Sequence, residues 1–241
     1  MDRKAVITGG ASGIGFAYAQ RVTASGGHVA LLDVDTGRGA EAAAALNAPF
    51  IACDVRDRTA VDAAFADAVH QLDGLDIAFV NAGVAANASE PEDFTTDAWD
   101  RIRGINLDGV IWGITAAVDH MPNGGTIIAT ASLAGLVAFA PDPMYTATKH
   151  AVVGFVRSLG PTLASRKITL AALCPGFART PLVTDAIGDA ADQLGVPLLD
   201  AADVAATVEE MVEHAEPGSC WIMQPGRTAA PYEFRGVPGP R

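Results

Sequence analysis

The chain has 241 residues, half of them hydrophobic and 18% charged, with a formal net charge of −12. That supplies the core of one α/β domain burying roughly 70–75% of its surface, and it argues against disorder. The acidic excess, with scattered arginines and no basic block, argues against nucleic acid and anionic membranes, because nothing would neutralise a run of phosphates.

The opening MDRKAVITGG runs straight into a strand-like segment, so no signal sequence is expected. Short apolar, β-branched runs predict strands at 4–8, 28–32, 50–53, 77–80, 126–131, 168–174 and 219–223. Their near-continuous apolar character suits a parallel sheet covered on both faces. Helical spacing predicts helices at 14–25, 36–46, 58–72, 96–120, 144–163 and 201–214. This alternation predicts a Rossmann-like doubly wound, seven-stranded parallel sheet with helices on both faces, in a single domain over 1–241. Residues 178–200 have mixed character and are expected to form a substrate lid, and the Pro- and Gly-rich tail 225–241 to be irregular. Cys53, Cys174 and Cys220 lie far apart without metal-ligand spacing. They read as small apolar residues in a reducing compartment, and no metal site is expected. The longest weakly polar stretch, 126–140, is too short for a membrane span. A soluble cytoplasmic protein is expected.

Thr8-Gly9-Gly10-Ala11-Ser12-Gly13-Ile14-Gly15 closes the first strand and opens the first helix. Glycines there permit a tight turn and close backbone approach to a pyrophosphate, and the helix amino terminus offers free N–H groups. Asp33 ends the second strand, where a carboxylate accepts hydrogen bonds from ribose hydroxyls and repels a 2′-phosphate. Val34 and Ser12 supply no cation for such a phosphate. The expected cofactor is NAD.

Tyr145 and Lys149 stand four residues apart, on one face of a predicted helix and one turn from each other. By itself that pair is common. Joined with Thr8-Gly-x-x-x-Gly13-x-Gly15, Asn81-Ala82-Gly83, Asn106, Ser132 and Pro175-Gly176, it reproduces the order and spacing found in the short-chain dehydrogenase/reductases. The chain resembles that family up to about residue 225. In motif detail, TASLAG, YTATKHAVVGF and LCPGF are most similar to the NAD-dependent 15-hydroxyprostaglandin dehydrogenase-like secondary-alcohol dehydrogenases.

The resemblance implies a set of roles. Gly9, Ser12, Gly13, Ile14 and Gly15 would cradle the cofactor phosphates, and Asp33 the adenosine ribose. Asp54 and Val55 would flank the adenine, with the Asp54 carboxylate facing its amino group. Asn81, Ala82 and Gly83 would let the backbone pass the adenosine side, and Pro175, Gly176 and Thr180 would hold the nicotinamide carboxamide. Val80 departs from the pattern, since many members carry a second Asn there. A homotetramer or homodimer, built by pairing helices 96–120 and 144–163, is also implied.

Oxidising an alcohol requires a base for its hydroxyl proton, and a phenol of ordinary pKa, about 10, is a poor one at neutral pH. A cation one turn away lowers that pKa. Tyr145 therefore reads as general base, or general acid in reverse. Lys149 reads as the group that tunes it and holds the nicotinamide ribose, and Ser132 as the group that orients the substrate oxygen. Asn106, a mediocre helix former, is expected to hold a water beside Lys149 through its side chain or a kinked backbone. Trp99 reads as core, and His150 as a packing or interface residue. Leu133, Ala134, Val137, Met144, Phe177, Leu182, Val183 and Ile187 would make a mainly apolar substrate wall, with Arg179 the one nearby cation. The expected function is NAD-dependent interconversion of an apolar secondary alcohol and its ketone. The alternatives are a carbonyl reductase and a non-catalytic NAD-binding sensor.

Overall fold

The computed structural model describes residues 2–183 and 197–236. Strands β1 (Lys4–Thr8), β2 (His28–Asp33), β3 (Phe50–Ala52), β4 (Ile77–Val80), β5 (Gly125–Thr130), β6 (Ile168–Pro175), β7 (Cys220–Met223) and β8 (Ala230–Pro231) form one sheet. Their spatial order is β3-β2-β1-β4-β5-β6-β7-β8, with the first seven parallel and β8 antiparallel to β7. Helices α1 (Gly13–Ala24), α2 (Thr36–Leu46), α3 (Arg58–Leu72), α4 (Thr96–Arg103), α5 (Gly109–Asp119), α6 (Pro143–Leu163) and α7 (Ala201–His214) cover its faces.

Strand pleating divides the core into two layers. Val6, Ala78 and Ile127 face α3, α5 and α6, whereas their neighbours Ile7, Phe79 and Ile128 face α1, α2 and α7. All four residues of β4 are buried, as a doubly covered parallel strand requires. Each such Val, Ile or Phe contributes roughly 1.5–3 kcal/mol by leaving water. Helix starts are set by side-chain caps: Asp57 accepts from the N–H groups of Thr59 and Ala60, and Thr95 from that of Ala98.

Three expectations need correction. The predicted helix 96–120 is broken by a wide π turn over Gly104–Asp108, closed by the Gly109 N–H on the Gly104 carbonyl. The break turns Asn106 fully inward, and it brings Gly109 so near Val55 that a Cβ there would lie 2.8 Å from its Cγ2. The sheet has an eighth strand, drawn from the tail expected to be irregular. Free N–H and C=O groups on the outer edge of β7 recruit it, and Tyr232 donates to the Cys220 carbonyl at 2.7 Å. Phe234 then receives the Arg157 guanidinium 3.5 Å from its ring centroid. Trp99 is 36% exposed rather than core. Among the described residues, no helix is long and apolar enough to cross a membrane.

Candidate active site

The strand order reverses between β1 and β4, and the crevice at the carboxyl ends of the strands there is where such sheets bind ligands. Asn81, leaving β4, is tied to both neighbours. Its backbone N–H donates to Thr8 Oγ1 at 2.9 Å, its Nδ2 to the Gly9 carbonyl at 3.4 Å, and its Oδ1 accepts from Thr130 Oγ1 at 3.0 Å. Ala82 N–H also reaches Thr8 Oγ1, at 3.2 Å. The glycine turn sits beside them. Gly13 has φ +54°, and a Cβ on Gly15 would stand 2.2 Å from the Gly9 carbonyl oxygen. Ser12 begins α1 in extended conformation without capping it by its side chain, so the first N–H groups, including that of Ile14, face the turn. Asp33 closes this cradle from β2, its Oδ2 accepting from Ala11 N–H at 3.1 Å.

Asp54 is paired within the chain. Both carboxylate oxygens are held by the Arg56 guanidinium, and Oδ1 also takes the Arg56 N–H at 3.0 Å. Val55 is buried against Gly109. On the other side, Pro175 ends β6, and Gly176 N–H donates to the Met223 carbonyl at 2.9 Å. The Thr180 side chain crosses over to Gly13, lying 3.2 Å from where a Cβ would project.

Ser132, Tyr145 and Lys149 converge where β5, β6 and α6 meet. Ser132 Oγ accepts from Ala134 N–H at 3.1 Å, starting a short 3-10 turn. Its hydroxyl also stands beside the Tyr145 phenol, where it favours the phenolate. Lys149 is 2% exposed; its Nζ donates to the Thr130 carbonyl at 2.8 Å and lies 5.5 Å from the Tyr145 ring centroid. Burial pushes the Lys149 ammonium down to about 8. Burial also dominates at Tyr145, lifting its phenol above the ordinary value, and the Asp142 carboxylate adds to the rise. The chain by itself therefore raises the phenol rather than lowering it.

Asn106 is buried in the π turn. Its Oδ1 accepts from Val84 N–H, and its Nδ2 donates to the Val84 carbonyl, both at 2.8 Å, with Thr148 Oγ1 at 3.4 Å. These bonds occupy the side chain, which leaves the kinked backbone as the element able to hold a water. A Cβ on Gly83 would lie 3.5 Å from both Asn106 Oδ1 and Lys149 Nζ, so the two flank that glycine.

The residues expected to form the apolar wall differ in exposure. Val137, Phe177 and Leu182 are exposed at 57%, 39% and 38%. Ala134 and Met144 are buried, and Met144 packs with Ala88 and Ile102 beneath the site. Ile187, and with it 184–196 of the expected lid, lies outside the described residues. His150 is exposed, its Nδ1 3.0 Å from the Thr146 carbonyl oxygen. Thr8, Thr130, Phe139, Asp142 and Thr148 were not foreseen among the site residues. Phe139 meets Phe177 edge to face, ring centroids 5.7 Å apart. Asp142 had a local signal, an Asp followed by Pro at the start of a helical pattern. The others become visible only through their contacts.

The short chain dehydrogenase family pattern matches residues 3–190. The chain belongs to that family. Human 15-hydroxyprostaglandin dehydrogenase [NAD(+)] is 37% identical over 193 residues, covering 74% of this chain and 69% of that enzyme. The 3beta-hydroxysteroid dehydrogenase of Mediterraneibacter gnavus is 33% identical over 190 residues, 76% of this chain and 69% of that one. Among solved structures, the 3-ketoacyl-(acyl-carrier-protein) reductase of Brucella melitensis complexed with NADH superposes with a TM-score of 0.86 at 27% identity, over 93% of this chain and 98% of that one. Levodione reductase does so with a TM-score of 0.84 at 26% identity, over 94% and 97%. This short-chain dehydrogenase is an oxidoreductase acting on CH–OH groups with a nicotinamide cofactor.

Proposed function

We propose that this short-chain dehydrogenase uses NAD to interconvert a mainly apolar secondary alcohol and its ketone, with Tyr145 as general base and acid. The observation that carries the reading is the convergence of Ser132, the Tyr145 phenol and a buried ammonium beside an open apolar mouth.

The residues of the glycine turn fit a dinucleotide. A side chain at position 15 would collide with Gly9, so only bare backbone stands there, and the first N–H groups of α1, uncapped by the Ser12 side chain, would serve phosphate oxygens. Asp33, with exposed Val34 beyond it, accepts ribose hydroxyls and disfavours a 2′-phosphate, which supports NAD. Val55, Ala82 and Gly83 border the adenosine path, and Asp54 with Arg56 forms its polar rim. Pro175, Gly176 and Thr180 border the nicotinamide end, where bound NAD supplies the acceptor for the hydride leaving the carbinol carbon.

Ser132 donates to the substrate oxygen and orients it. Tyr145 removes the hydroxyl proton as the carbon–hydrogen bond breaks, and returns it in ketone reduction. Bringing a phenol of ordinary pKa near neutrality takes about three units, or about 4 kcal/mol in favour of the phenolate. Burial opposes that change, so the positive charges of Lys149 and of the bound nicotinamide must outweigh it. Lys149 also holds the nicotinamide ribose, and the kinked backbone at Asn106 holds a water through which protons reach solvent.

Phe139, Phe177, Val137 and Leu133 select an apolar substrate. The exposed small residues Ala147 and Gly154 leave the outer face of α6 open to helix pairing in a homodimer or homotetramer. The three free cysteines suit a cytoplasmic setting. The test is a panel of secondary alcohols of graded size, with NADH formation as readout, run beside Tyr145→Phe. Loss of turnover with NAD affinity retained is expected. Undiminished turnover would sink the mechanism and revive the sensor reading. Sedimentation as a monomer would remove the oligomer.

A further inference from the structure

Asp142 is charged, only 4% exposed, and three residues before Tyr145. Its Oδ1 caps α6 by accepting from Tyr145 N–H at 3.0 Å. Any of several short polar residues would do that much. The second oxygen reaches a different element: Oδ2 accepts from Ala86 N–H at 2.8 Å and Asn87 N–H at 2.9 Å. These belong to the strap 84–88, which follows β4 and which Asn106 grips at its other end through Val84. Asn87 takes a left-handed φ of +55°, turning its N–H toward the carboxylate. Val84, Ala86 and Ala88 pack with Met144 and Tyr145. One face of the apolar shell around the phenol is thus this strap, pinned at both ends.

A carboxylate is a costly choice at that point. It is a like charge to the phenolate that the reaction needs, and it raises the Tyr145 pKa, which a neutral cap would not do. Three N–H donors compensate its burial. Asn carries a single acceptor oxygen, and Ser is too short to bridge the two elements. Serving both at once requires Asp.

We propose that Asp142 is a positioning residue of the reaction, its two oxygens latching the strap 84–88 to the amino end of α6 and so holding the Tyr145 phenol beside Ser132. The proposal rests on the reading of Tyr145 as general base. The groups facing that phenol are Asp142 and Lys149 from α6, Ser132 after β5, Cys174 from β6, and the apolar Val84 and Ala86 of the strap.

The test compares the NAD-bound wild type with Asp142→Asn and Asp142→Ser. Phenolate absorbance, differenced against Tyr145→Phe in each background, reports the Tyr145 titration. Hydrogen exchange reports the Ala86 and Asn87 amides. In Asp142→Asn the titration midpoint is expected to fall, because a like charge is gone. In both variants the two amides exchange about tenfold faster. Asp142→Ser keeps a cap for Tyr145 N–H, so its melting temperature stays near that of the wild type while amide protection is lost. Wild-type protection of the Ala86 and Asn87 amides in Asp142→Ser would reduce Asp142 to a helix cap and overturn the proposal. Turnover surviving in Tyr145→Phe strikes the general-base reading instead, and the exchange data separate the two failures.

Discussion

Lys149 Nζ lies 5.5 Å from the Tyr145 ring centroid while donating to the Thr130 carbonyl at 2.8 Å, so one ammonium links the catalytic helix to the end of β5. Its pKa of about 8 sits below the ordinary 10.5 because burial disfavours the charge. Between those values the unfolded chain binds the extra proton, so the contribution of this group to stability rises with pH. The buried cation costs about 3 kcal/mol below its folded pKa, an order-of-magnitude figure, and the cost fades as the pH approaches 10.5. Lys149→Met is expected to abolish turnover yet raise the melting temperature at neutral pH. The gain should shrink steadily toward alkaline pH. Paired thermal melts across that range check it, and a Met variant less stable than wild type at neutral pH contradicts it.

Asp33 is expected to decide the cofactor. Its carboxylate already orders the turn through Ala11 N–H, and Val34 beside it is 69% exposed, with room for a cation. Asp33→Ala should weaken NAD roughly tenfold to a hundredfold, the range for hydrogen bonds to a charged group. Adding Val34→Arg should bring NADP binding up. Side-by-side titrations in which the wild type favours NADP would falsify the assignment.

Gly15→Ala places a methyl 2.2 Å from the Gly9 carbonyl, an approach that no rotamer relieves. The turn must open, at a cost of about 1–3 kcal/mol. A lower melting temperature together with loss of NAD binding is expected, read by thermal melts and calorimetric titration. Tight NAD binding by this variant would mean that the dinucleotide lies elsewhere.

The Phe139–Phe177 edge-to-face pair should set substrate size. Phe177 is part-exposed and outside the main core layers, so Phe177→Ala is expected to fold. KM for a bulky apolar secondary alcohol should rise about tenfold while a small one is little affected, in line with the worth of a lost apolar contact. Equal effects on both alcohols would remove this pair from the substrate wall.

Much of this protein was legible along the chain because the determining forces are local. Strand and helix periodicities differ, and the glycine turn between β1 and α1 depends on residues only a few positions apart. Those patterns determined a doubly wound parallel sheet, and the family's motifs pointed to Ser132, Tyr145 and Lys149. Other features depended on contacts that periodicity does not encode. The π turn exists because Asn106 reaches Val84, and β8 because β7 left an open edge. The second oxygen of Asp142 meets Ala86 across 56 positions of sequence. Even the direction of the Tyr145 shift was decided in three dimensions. Spacing alone put a cation one turn away, but burial of the phenol, with Asp142 beside it, raises it above its ordinary value.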